Sequence, residues 1–214
     1  MRNLTKEEIE KALGNDAWDL GNQVLYDLCS QHPLHKSQQE IIAKVWLIGR
    51  SYSAALERRK NKSSDSVGDL FYEDKAFPKI RDSPIDSWLG LFKAGLALNK
   101  EFSEKAVEIH SKLTDLFQKI SGLEKRSLAS KYLHFHHQEL FFIYDSRAVK
   151  AIREITPTKQ VEWPDCLPIE HDGEYLKFYR RCLWLCDDLK SKLGRKPSPR
   201  EIDKILLVVA DKRI

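Results

Sequence analysis

Between Gly122 and Arg147 the chain gathers residue types suited to gripping a phosphate and to carboxylate chemistry. These are Gly122, the cations Lys125, Arg126, Lys131 and Arg147, the hydroxyl of Ser127, histidines at 134, 136 and 137, and the carboxylate of Asp145. Gly122 suits a tight turn, so two helices joined by a short hairpin are expected, the second opening near Ser127 beside Lys125 and Arg126. The first N–H groups of a helix lack intrahelical acceptors, and with adjacent cations they make a place where a phosphate can dock. Asp145 follows the apolar run Leu140–Tyr144 and precedes Ser-Arg-Ala-Val-Lys-Ala-Ile, the setting of an N-cap whose side chain accepts from the first helical turn.

Other reactive residues carry a blander expectation. Only His134 and His137 share a helix face, and no carboxylate motif accompanies them, so the histidines are read as polar surface or partner-facing groups and no metal site is expected. Cys182 and Cys186 stand one turn apart, but no second pair completes a zinc or iron–sulfur site; with Cys29 and Cys166 they read as reduced thiols. Tyr144 lies beside the carboxylate, and Trp46 and Tyr52 fall on a long apolar stripe with Trp88 on another. Tyr144, Trp46 and Tyr52 are weak candidates for a stacking pocket, since aromatics at helical spacing usually pack in a core.

The elements that must position these residues are helices. Thr5 with Glu8, Ser37 with Glu40, and Ser198 with Glu201 have capping-box spacing, the last with Pro199 at the first helical position. A period near 3.6 through Ile41, Ile42, Val45, Trp46, Ile48, Tyr52, Ala55 and Leu56 predicts a core helix from Gln38 to Lys60, in which Gly49 permits close approach of a neighbour. Further helices are expected at Asp16–Ser30, Pro84–Leu98, Ser103–Ile120, Leu128–His136, Ser146–Ile155 and Gly173–Leu193. Ser63–Gly68 reads as a polar loop and Thr156–Asp172, with three prolines, as a long connection. The fold class is therefore all-α: a compact multi-helix domain over residues 1–214, with two helical lobes and a cleft as a possible arrangement, and the hairpin-to-Asp145 segment at 104–155.

At 214 residues the chain is long enough to build a core without disulfides or metal. The balance of 36 Lys and Arg against 32 Asp and Glu is only mildly basic, so a polyanionic partner must be met by a local patch. No apolar leader and no window of about 18 apolar residues is present, so the expectation is a cytoplasmic protein without a membrane partner.

The hairpin segment resembles the helix-hairpin-helix DNA glycosylases. In that family a Gly-rich hairpin is followed by a small residue, usually Ala, that begins a helix; an essential Asp lies sixteen residues later in a context like Phe-Pro-x-Asp-x-x-Val. Here Ala129 and Asp145 are sixteen apart, and Phe142-Ile-Tyr-Asp145-Ser-Arg-Ala-Val149 is a similar context. The family's two hairpin glycines fall on Leu123 and Lys125, with Gly122 one residue out of register. Ser127 stands where bifunctional members carry a nucleophilic Lys, and the C-terminal cluster cysteines of some members are absent.

The resemblance implies a monofunctional DNA glycosylase without a cofactor, acting on double-stranded DNA that carries a modified base, in base excision repair or in defence against modified phage DNA. Asp145 would be the catalytic carboxylate, stabilising the cationic sugar formed as the C1′–N bond breaks and orienting water, with the base flipped into a pocket. Gly122, Lys125, Arg126, Ser127, Lys131 and Arg147 would meet the DNA. Two alternatives stand beside it. One is a non-catalytic helical nucleic-acid-binding module in which Asp145 only caps a helix, a reading the missing paired glycines favour. The other is a toxin–antitoxin or protein-interaction component.

Overall fold

The structure of the chain, a computed structural model, describes residues 2–14, 16–58, 70–92, 100–157 and 172–211. The polar stretch Ser63–Gly68, Cys166, most of the Thr156–Asp172 connection and the end of the helix expected at Pro84–Leu98 lie outside them. The fold is all-α: the described residues form helices without a strand. None of these helices is long and apolar enough to cross a membrane. By contacts the chain divides into two compact units, one formed by Met1–Ala17, Ala97–Glu108 and Gln138–Ile214, the other by Trp18–Leu96 and Ile109–His137.

In the first unit, α1 (Lys6–Leu13) packs on α10 (Pro199–Asp211), which also meets α8 (Ser146–Ile155) and α9 (Gly173–Leu193). Two capping boxes begin these helices as the sequence predicts. Thr5 and Glu8 exchange side-chain-to-backbone hydrogen bonds at α1, and Ser198 and Glu201 do so at α10, where Pro199 needs no N–H partner. α9 buries Tyr175, Phe178, Tyr179, Cys182, Leu185, Cys186 and Leu189 on one face. The two cysteines are free and buried there as small apolar side chains.

In the second unit, α2 (Asp19–Gln31), α3 (Gln38–Ser51) and α7 (Arg126–His136) pack on one another, and α3 also meets a π-helical turn, Tyr72–Ala76, that runs into α4 (Phe77–Arg81). α5 spans Ile85–Leu89, and α6 (Lys100–Ser121) gives its residues through Glu108 to the first unit and the rest to the second. The segment 72–81 was not expected as helix, although Tyr72, Ala76 and Ile80 carry a four-residue apolar period and are buried. Pro78 has no N–H, and just before it the Phe77 N–H reaches back five residues to the Tyr72 carbonyl, which accounts for the π turn.

Two expectations about elements need correction. α3 stops at Ser51 instead of Lys60, because Ser53 takes a left-handed conformation (φ 52°) and the chain folds back. Gly49 makes that fold-back possible: a Cβ there would stand 3.2 Å from the Cα of Ala55. Ala55 and Leu56 stay buried by packing after the turn, which is why their periodicity looked helical. Ser37 makes no side-chain cap on α3, and Glu40 pairs with His32 at 3.0 Å instead.

Candidate functional site

Asp145 stands at the junction of a buried extended segment and α8. Leu140, Phe141, Phe142 and Ile143 are all buried, and with no strand among the described residues to pair with, their carbonyls need other donors. α9 supplies two: the Tyr179 hydroxyl donates to the Leu140 carbonyl at 2.6 Å and the Tyr175 hydroxyl to that of Phe142 at 3.1 Å. Anchored in this way, the chain delivers Asp145 half-buried at the start of α8, in extended conformation, with Oδ1 accepting from the Ala148 N–H at 2.9 Å. The N-cap expectation is met. The positive end of the α8 dipole faces this carboxylate.

Tyr144, just before it, is half-buried, its ring packed edge-on against Phe178 at 5.2 Å and near Tyr175 at 6.1 Å. An open depression of about 570 Å³ begins at this ring and is lined by Tyr144, Ser146, Val149, Lys150, Arg153 and Glu154. Arg147 is exposed and ion-paired with Asp211 at the end of α10. Asp145, Arg147 and Tyr144 belong to the first unit; Gly122, Lys125, Arg126, Ser127, Lys131, Trp46 and Tyr52 belong to the second.

In the second unit, a four-residue connection joins α6 to α7. Gly122 adopts φ 72°, a left-handed turn that ends α6, and Ser121 steadies it by donating to the Phe117 carbonyl and accepting from the Leu123 N–H. The cations here are held by the protein itself. Lys125 donates to the carbonyls of Ala55 at 2.9 Å and Arg58 at 2.7 Å, the residues after the fold-back of α3, and burial lowers its ammonium to about 8. Arg126 pairs with Glu124 at 2.8 Å.

Lys131, expected at the DNA backbone, lies inside instead. It is 2% exposed, donates to the Ser127 hydroxyl at 2.7 Å and sits 5.6 Å from the centre of the Tyr52 ring. A phosphate contact from it would require that pairing to open. Of the weak pocket aromatics, Tyr52 donates to Asn22 at 2.6 Å, while Trp46 is 37% exposed with the Arg50 guanidinium over its ring.

The surface expectation for the histidines is overturned at His134, which is fully buried with a ring nitrogen 2.6 Å from the Tyr26 hydroxyl. His136 is half-buried and bonds the Tyr132 carbonyl through Nδ1 at 2.8 Å; its Nε2 is buried without a partner among the described residues. Among the described residues no group of three or more His, Cys, Asp or Glu side chains is placed to hold a metal ion.

Sequence reading missed a polar network in this core. His35, from the α2–α3 connection, places Nδ1 2.6 Å from an oxygen of Asp86 and Nε2 2.7 Å from the Tyr132 hydroxyl; its backbone N–H also reaches Asp86. A carboxylate only accepts, so Nδ1 carries the proton and the Tyr132 O–H donates to Nε2. Burial, reinforced by the Lys44 ammonium, lowers the imidazole to about 4. Lys44, itself buried, donates to the carbonyls of His32 and Leu34. The partners are 51 and 97 residues from His35, and no local pattern announces them.

Comparison with protein-family models, with curated proteins and with solved structures finds no match. The resemblance to the helix-hairpin-helix glycosylases therefore rests on the residues of the hairpin-to-Asp145 segment alone.

Proposed function

We propose that the chain is a monofunctional DNA glycosylase that flips a modified base out of the duplex and hydrolyses its N-glycosidic bond, leaving an abasic site. The observation that carries the reading is Asp145: sixteen residues after Ala129, its half-buried carboxylate is held by the Ala148 N–H beside an open depression. In the reaction the C1′–N bond breaks, its electron pair leaves with the base, and positive charge develops on the sugar. The Asp145 carboxylate stabilises that cation and takes a proton from the water that adds to C1′. Ser127, in place of an amine, gives no Schiff base, so the strand is not cut. Gly122, Lys125, Arg126 and Arg147 are the DNA contacts of this reading, with Lys131 contributing only if its bond to Ser127 opens.

The second reading, a helical nucleic-acid-binding module without catalysis, is favoured by the cap hydrogen bond of Asp145 and by the engagement of Lys125 with two backbone carbonyls. One experiment separates them. The native chain and Asp145→Asn are incubated with duplexes carrying a panel of modified bases, and abasic sites are revealed with alkali. The glycosylase reading expects base release by the native chain and none by the variant, with DNA binding retained. Equal release by both removes Asp145 from the mechanism, and DNA binding with no release of any base by the native chain supports the module.

A further inference from the structure

α8 is built with two opposed faces. Ala148, Ala151, Ile152 and Ile155 are buried, whereas Arg147, Lys150 and Arg153, each three residues after the last, are exposed. At 1.5 Å of rise per residue the three cations extend over about 9 Å of the helix. Arg147 is held by Asp211. The other two line the depression that begins at Tyr144, next to Asp145. Arg153 lies 3.6 Å from Glu174, a solvent-exposed pairing that a stronger anion displaces at little cost. The lining holds one carboxylate, Glu154, against these two cations, and its volume lies within the range of clefts that take small ligands.

We infer that this depression seats the sugar–phosphate strand that carries the target nucleotide, with Lys150 and Arg153 on its phosphates and the sugar facing Asp145. The inference rests on the glycosylase reading for the identity of the strand. The cations, aromatic ring and carboxylate all lie on α8 or in the residues that lead into it. A strand lying along the helix presents its phosphates to the cations in sequence. Phosphate contacts from this face carry no sequence information; they set the register in which the sugar meets the carboxylate.

The test uses the salt dependence of binding. Each phosphate neutralised by a cation contributes about 0.9 to the slope of log affinity against log salt, so Lys150→Gln/Arg153→Gln should lower the slope by about 2, read by fluorescence anisotropy of a labelled duplex over a potassium chloride series. Lys190→Gln/Lys192→Gln on α9 removes the same charge away from the depression and should leave the slope within about 0.5 of the native value. Thermal melts that match the native chain confirm that both variants fold. An unchanged slope in the α8 variant, an equal fall in the control, or no salt-dependent binding by the native chain overturns the inference. Loss of base release in Asp145→Asn with an unchanged slope in the α8 variant sinks this inference and leaves the glycosylase reading. A lowered slope with base release independent of Asp145 does the reverse.

Discussion

Acidification from pH 7 to pH 5 should destabilise the second unit through its buried histidines, chiefly His35. The unfolded imidazole takes a proton near 6.5, whereas in the fold burial and Lys44 hold His35 down to about 4. Between those values the unfolded chain binds more protons than the native one, so stability falls as pH falls and is fully restored above the unfolded value. For His35 alone the loss is about 2 kcal/mol between pH 7 and pH 5 and about 3 kcal/mol below pH 4. For a chain of this length, 2 kcal/mol is a fall in Tm of roughly 4 to 8 °C.

His136, stacked on His35 and also lowered by burial, acts in the same direction. The lowered carboxylates Glu8 and Glu201 start from 4.5 and lose their contribution only below this window. Lys44 and Lys125, lowered to about 8, stay protonated throughout it. The assay is the urea midpoint at pH 7 and pH 5 for the native chain and for His35→Asn, which keeps a donor for Asp86 but does not titrate. The variant should be less stable at pH 7 and should lose about 2 kcal/mol less on acidification. A variant as acid-sensitive as the native chain refutes the reasoning. So does a native His35 ring whose NMR shift titrates near 6.5, a measurement that needs no variant to fold.

Two further outcomes follow from the geometry. Asp145→Ala should cost about 1 kcal/mol in a urea melt because the Ala148 N–H loses its acceptor, whereas Asp145→Asn keeps an amide oxygen there and should cost a few tenths at most; equal losses would mean that the cap bond contributes nothing. Gly49→Ala should destabilise by about 1 to 3 kcal/mol, since its Cβ would stand 3.2 Å from the Cα of Ala55 and backbone must shift; an unchanged melt would show that α3 and the fold-back separate freely.

How much of this was legible depended on whether the signal was local. The caps of α1 and α10, the cap at Asp145 and the buried stripe of α9 each involve residues within a turn or two of one another, and each is present. The end of α3 was hidden because Ala55 and Leu56 continue its apolar period while lying beyond the left-handed Ser53. Charge was the poorest guide. Lys125, Lys131 and Lys44 look like surface cations in sequence, yet each is tied to oxygens of the protein, two of them to carbonyls brought together by chain reversals. The Asp86–His35–Tyr132 chain, with His35 and Tyr132 buried, joins three separate segments.

The cap on α8 bears directly on what Asp145 is fitted to do. An exposed aspartate on a loop samples several rotamers, and fixing it over a sugar costs part of the stabilisation it then gives the cation. Here the Ala148 N–H holds one oxygen, and the two α9 tyrosines hold the carbonyls of the chain that leads into it. Capping thus supplies the orientation that the proposed chemistry needs, and the comparison of Asp145→Asn with Asp145→Ala separates cap from catalyst. The amide keeps the cap and loses the charge, so an Asn variant that folds like the native chain and releases no base isolates the carboxylate's chemistry from its place in the fold.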